Sequence, residues 1–230
     1  MGNGGVVWGA RARRLVLSSS LLASMITVGI TGGIGSGKSA VAARLATHAG
    51  VRVLRADDLA KRLMAEHPDV RRQLVARFGA ETFGADGALD RARLAAHVFG
   101  DEAELAALNA IVHPAVRRAL VEAQERARAE GARVLVYEAA LLFETDGDAV
   151  VDRVVVVDAP VETRVARAAA RDGVPEAAVR ARMRHQIDPA EARARADVVV
   201  DNAGSLDALH AAADALARDL GLGAHVPPSG

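Results

Sequence analysis

The chain has no cysteine, which excludes disulfides and thiolate metal sites and is compatible with a reducing cytoplasm. A cytoplasmic location is the expectation. Aromatic residues make up only 3% of the chain although hydrophobic residues make up 51%, so a core must be built from Val, Leu, Ile and Ala. No net charge remains at neutral pH. Non-specific nucleic-acid binders are usually basic, so no nucleic-acid partner is expected. No apolar run reaches the roughly 18 residues that a bilayer span needs, so no membrane span is expected either. Lysine is nearly missing: Lys38 and Lys61 stand alone among many arginines. An arginine cluster therefore says less here than elsewhere, and a lysine says more.

The 230 residues suit one domain with a smaller inserted part, at about 100–200 residues per domain. Residues 1–24 carry Arg11, Arg13 and Arg14, a serine triplet and no acid, a composition like that of a transit peptide. Met25 nevertheless opens a clean strand. The extension reads as residues upstream of an alternative start and is expected to be disordered, as is the tail 223–230.

The domain proper is expected over 25–222. Residues 25–30 read as a buried strand, followed by a glycine-rich turn and a helix from about 38 to 48. Residues 51–54 form a second strand. A helical stretch from 57 to 131 follows, broken at Pro68, at 79–87 and at His113-Pro114. Strands at 133–137, 153–158 and 198–200 complete the set; Val154-Val155-Val156-Val157 is the continuous β-branched run of a parallel strand covered on both faces. Alternating strands and helices give an α/β fold: a three-layer P-loop NTPase with a five-stranded parallel sheet. The stretch 57–131 is too long for one crossover helix and is read as an inserted helical subdomain. Residues 160–192 form a helical lid.

Gly32-Gly33-Ile34-Gly35-Ser36-Gly37-Lys38-Ser39 matches the phosphate-binding pattern G-x4-G-K-[ST], after a strand and opening a helix. Glycines let backbone N–H groups converge on phosphates, and the helix start adds its positive end. Lys38 is expected on the β- and γ-phosphates of ATP and Ser39 on Mg²⁺.

Asp57, past the second strand, reads equally as a base for an acceptor hydroxyl or as a helix N-cap. Glu138, at the end of the third strand, reads equally as an acid serving a Mg²⁺ site or as an ordinary strand-end charge. Glu144 has no clear place. His113-Pro114 reads as a helix start with Pro at the first position, or as a ligand contact. Arg164, Arg167 and Arg171 lie three and four apart on one helical face, with Arg180, Arg182 and Arg184 following. Arginines on a lid serve the charge that builds on a transferring phosphoryl group.

These segments, with Ala56-Asp57, Leu89-Asp90-Arg91, Leu108 through Pro114, Leu141 through Glu144, Gln186 and Asp201 through Gly204, resemble dephospho-CoA kinases from residue 25 to about 220. The resemblance implies transfer of the γ-phosphoryl group of ATP to the ribose 3′-hydroxyl of dephospho-CoA; a monomer is the expectation. It implies catalytic roles for Asp57, Lys38 and Arg171. ATP would be held by Gly33, Gly35, Ser36, Gly37, Lys38, Ser39, Ala40, Arg167, Arg171 and Asn202, and the acceptor by Asp57 and His113. Three positions depart from the family pattern: Arg55 where Asp is usual, Lys61 where Arg is usual, and Ala140 where Pro is usual. Other small-molecule kinases share the same parts. A GTP switch is disfavoured, because neither lysine follows an asparagine as a guanine reader requires.

Overall fold

The computed structural model describes residues 6–8, 25–98 and 100–223. Its strands are β1 (Val6–Trp8), β2 (Ile26–Thr31), β3 (Val51–Arg55), β4 (Val134–Glu138), β5 (Arg153–Asp158) and β6 (Val198–Asp201). The helices are α1 (Lys38–Ala46), α2 (Ala56–Glu66), α3 (Pro68–Phe78), α4 (Arg91–Val98), α5 (Glu102–Ala129), α6 (Val161–Asp172), α7 (Glu176–Met183), α8 (Pro189–Arg195) and α9 (Leu206–Asp219). The chain divides into two units, one from the segments up to Leu54 and from Gln124 onward, the other Arg55–Ala123.

The larger unit is built on a sheet ordered β1-β6-β5-β2-β4-β3. The β2–β4, β2–β5 and β5–β6 pairs are parallel. Every residue of β4 is buried, and so are the four valines of β5. A run this apolar is stable only with both faces covered. On one face α1 and α9 place Val41, Leu45, Leu209 and Leu216 against Val28, Ile30, Val136 and Val155. Arg44 of α1 grips Asp214 of α9 through two nitrogens, at 2.8 and 2.7 Å, which ties the covering helices together. On the other face, Gln124 near the end of α5 donates to the Thr27 hydroxyl and to the Val150 carbonyl, both at 3.0 Å.

All five expected strands are present, and the sheet has a sixth. Val6–Trp8 pairs antiparallel with β6, Val7 opposite Val199. The expectation of disorder across 1–24 is therefore corrected at these three residues; the remainder of that stretch, like 224–230 of the tail, lies outside the described residues. The physical reason is the edge of β6, whose outward N–H and C=O groups need partners that a short valine-rich strand supplies. Gly223 is held as well, its carbonyl 3.0 Å from His48 Nδ1.

The smaller unit has its own core. Val70, Leu74 and Phe78 of α3 meet Leu94 of α4 and Ala115 of α5. Its breaks fall at Pro68 and at 79–87, as expected, and a further one separates α4 from α5, but none falls at His113-Pro114, where α5 continues unbroken. Pro114 deprives the Ala110 carbonyl of its helical partner. The buried Val112 and Ala115 on either side hold the helix together through that defect.

Leu216 is fully buried between α9 and the sheet. Leu216→Ala should cost roughly 2–5 kcal/mol in urea unfolding, and a loss below about 1 kcal/mol would contradict the packing described.

Candidate active site

The carboxyl ends of the central strands carry the polar residues, as open α/β sheets place their ligands. The phosphate loop leaves β2 at Thr31 and enters α1 at Lys38. No side chain caps the start of α1, so its amino-terminal dipole faces the loop. Gly37 takes φ 98°, a left-handed conformation costly for any other residue. A Cβ there would also strike the side-chain amide of Asn202. That amide is committed to the loop: Asn202, buried just past β6, donates from Nδ2 to the Ser36 carbonyl at 2.8 Å. A second brace comes from Gln186 after α7. Its Oε1 accepts from the Ile34 N–H at 2.8 Å, and its Nε2 donates to the Ala140 carbonyl at 3.3 Å. The Ser36 hydroxyl is buried without a hydrogen-bond partner among the described residues.

Parallel pairing sets Ile30 opposite Glu138. This brings the end of β4 beside the start of α1, where the Ser39 hydroxyl donates to Glu138 Oε1. Glu138 is buried, so its carboxylate is held in place by a partner rather than by solvent. Because the Ser39 proton goes to Glu138, the lone pairs of its oxygen remain to serve as a ligand. A hydroxyl and a carboxylate oxygen are hard donors, and no group of three or more His, Cys, Asp or Glu that could hold a metal exists among the described residues.

Helices α6 and α7, within the stretch 160–192 expected as a lid, pack through Val165, Ala168 and Val179, with Ile34 of the phosphate loop against them. The arginines of α6 and α7 have different surroundings. Arg164 is buried. Arg167 donates to the Asn202 carbonyl at 3.3 Å. Arg171 is held by Asp172 at 2.7 and 3.2 Å, and Arg182 joins the same carboxylate at 2.8 Å. Hydrogen bonds from Arg171 first and Arg182 second pull the Asp172 carboxyl down to about 2.

A family model described as dephospho-CoA kinase matches residues 26–208. The dephospho-CoA kinase of Salinibacter ruber is 50% identical over 185 residues, covering 80% of this chain and 92% of that protein. The chain belongs to the dephospho-CoA kinase family. The Thermobifida fusca member is 46% identical over 187 residues, covering 81% of this chain and 92% of its own. Among solved structures, TT1252 from Thermus thermophilus is similar with a TM-score of 0.72 at 41% identity, covering 86% of this chain and 98% of that one. A dephospho-CoA kinase from Campylobacter jejuni shares the fold, with a TM-score of 0.60 at 21% identity over 85% of this chain and 97% of its own.

The structure brings Gly33, Gly35, Ser36, Gly37, Lys38, Ser39, Ala40, Arg167, Arg171 and Asn202 into the larger unit, along the phosphate loop, α1, α6 and the end of β6. The Ala40 N–H is spent on the Gly37 carbonyl at 3.0 Å. Asp57 and His113 lie in the smaller unit. Asp57 sits in the first turn of α2, where Arg55 is the N-cap residue, so the capping alternative does not hold. Its carboxylate is exposed, with no hydrogen bond or ion pair among the described residues. Lys61 is 3.9 Å from Asp58, one turn back on the same helix. Ala140, the other departure, serves through its carbonyl, which alanine supplies as well as proline. Glu144 accepts from the Ile187 N–H at 2.8 Å and so steadies the segment that carries Gln186.

His113 is partly buried in mid-helix, and its pKa is lowered, first by burial and second by Arg117 one turn on. A folded-state pKa below the unfolded value of about 6.5 means stability that is whole above that pH and lost as pH falls below it. In urea titrations from pH 7.5 to 5, a His113→Gln protein should therefore gain on the wild type as pH falls. Parallel curves would remove His113 from the acid response.

Proposed function

We propose that this chain transfers the γ-phosphoryl group of ATP to the ribose 3′-hydroxyl of dephospho-CoA, giving CoA and ADP in the last step of coenzyme A biosynthesis. The observation that carries the reading is the Ser39–Glu138 pair at the phosphate loop of a chain from the dephospho-CoA kinase family.

In this reading, the backbone of Gly33 through Gly37 and the start of α1 cradle the β- and γ-phosphates, and Lys38 adds a compact positive charge. Ser39 and Glu138 are the residues that would hold Mg²⁺, whose charge offsets that of the phosphates. Few protein ligands and hard oxygens are what this ion takes when the nucleotide supplies the others. Arg167 and Arg171 serve the phosphoryl oxygens from the lid; for Arg171 this requires exchange of Asp172 for phosphate. Asn202 acts on ATP through the loop it braces. Asp57 takes the proton of the acceptor 3′-hydroxyl as the oxygen–phosphorus bond forms and the bond to the β-phosphate oxygen breaks, with ADP leaving. Its carboxylate is exposed and, among the described residues, makes no hydrogen bond or ion pair, so it is open to an acceptor hydroxyl. His113, whose pKa is lowered by burial, contributes an uncharged contact to the acceptor. The reaction needs no nucleic acid, and a monomer suffices.

ADP release in the presence of ATP and Mg²⁺ should rise on adding dephospho-CoA, with CoA formed in equal amount. AMP, CMP and shikimate should give no such rise; stimulation by one of them in place of dephospho-CoA would refute the acceptor. Replacing the proposed base by Asp57→Asn should lower kcat by roughly 10²–10⁴-fold with ATP affinity unchanged. A near-normal rate in that variant would take Asp57 out of the chemistry.

A further inference from the structure

Arg164 stands one turn into α6, and only 5% of it is exposed. Its Nε donates to the Ala159 carbonyl at 3.0 Å, which uses one of its five N–H groups. Among the described residues no carboxylate lies within ion-pair distance of its guanidinium. Buried arginines are ordinarily paired, because an uncompensated charge in a low-dielectric site is expensive. Three neighbouring arginines that are only half-buried already have carboxylates: Arg180 holds Glu162, Arg193 holds Asp158 and Asp201, and Arg195 holds Asp148.

The direction in which Arg164 points identifies the missing partner. Its Nη1 lies so close over Gly33 that a Cβ on that glycine would collide with it. A side chain at Gly35 would meet the Arg164 carbonyl in the same way, so this turn of α6 rests on the phosphate loop itself. Arg164 also lines a cavity of about 470 Å³ together with Gly32, Gly33, Arg180 and Arg184. The acids in that lining are engaged elsewhere. Asp158 holds Arg193 and the Ala159 N–H, and Asp188 caps α8 through the N–H groups of Ala190 and Glu191.

We propose that Arg164 is a phosphate-binding residue of the nucleotide site, and that the polyphosphate of ATP is the counter-charge it lacks. The proposal rests on the reading that the loop 32–39 holds a nucleoside triphosphate. It adds a buried cation to Arg167 and Arg171, already fixed over the loop. A guanidinium already desolvated and immobilised forms charge-assisted bonds at little further entropic cost.

The test is calorimetric binding of ATP and of adenosine to the wild type and to Arg164→Gln, which keeps a donor for the Ala159 carbonyl. ATP affinity should fall roughly 10- to 100-fold, while adenosine affinity stays unchanged. The unliganded variant should melt no lower than the wild type, since an unpaired buried charge has been removed. Unchanged ATP affinity, or equal losses for ATP and adenosine, would overturn the assignment. Should that variant fail to fold, Arg164→Met fills the same volume without charge, and the same two readings apply to it. A wild-type protein that binds no ATP at all would instead refute the nucleotide reading, and the Arg164 assignment with it.

Discussion

The hydrogen bond from Ser39 to Glu138 depends on strand register, and the rest of the site depends on that register in turn. Ile30 faces Glu138 across the β2–β4 ladder, so the last residue of β4 reaches the first turn of the helix that follows the phosphate loop. A slip of one residue would send the carboxylate to the opposite face of the sheet. The valine-rich cores on both faces prevent that slip: Val134 and Val136 point to α1 and α9, and every side chain of β4 is buried. Packing of apolar side chains thus fixes the position of an acid that no apolar side chain touches chemically.

The loop itself is stabilised from outside. Its glycines give it the required turns but little stiffness, since glycine has the most backbone freedom to lose. Asn202 from the end of β6 and Gln186 from beyond α7 each bond a backbone group of the loop, and α6 lies directly on it. Gln186 touches both the loop and the Ala140 carbonyl after β4, and Glu144 holds the neighbouring Ile187 N–H. The connector after α7 is therefore fastened both to the loop and to the segment after β4.

What the sequence revealed and what it concealed divide along the range of the interactions. The phosphate loop and the valine strands are local patterns, and each stands where the pattern puts it. Glu138 was undecidable locally, because its meaning lies in a partner 99 residues away. Asn202, which the resemblance gives to ATP, donates its amide to the Ser36 carbonyl, a contact spanning 166 residues that no local pattern announces. Val6–Trp8 is too short to register as a strand without β6 beside it. Pro114 misled in the opposite sense: a strong local breaker was overruled by packing on both sides of it. On the acceptor side only the family resemblance singles out Asp57 and His113, since the contacts that would distinguish acceptors are not encoded in any short spacing.

The arginines show the same division most sharply. Periodicity places Arg164, Arg167 and Arg171 on one stripe of α6, and a stripe in an arginine-rich chain has the look of a solvated face. Spacing, however, says nothing of what packs on the stripe. With equal numbers of basic and acidic side chains, 29 of each, the chain can neutralise its arginines internally, and on the lid it largely does. Those pairs are exposed and worth little in stability, so they are easily exchanged for a phosphate. Arg164 differs in kind. It is buried, oriented and unbalanced, which makes the unliganded site electrostatically incomplete. A site that is incomplete by one anion binds a polyanion with part of its reorganisation already done, the advantage that a surface arginine, free to turn to solvent, does not have.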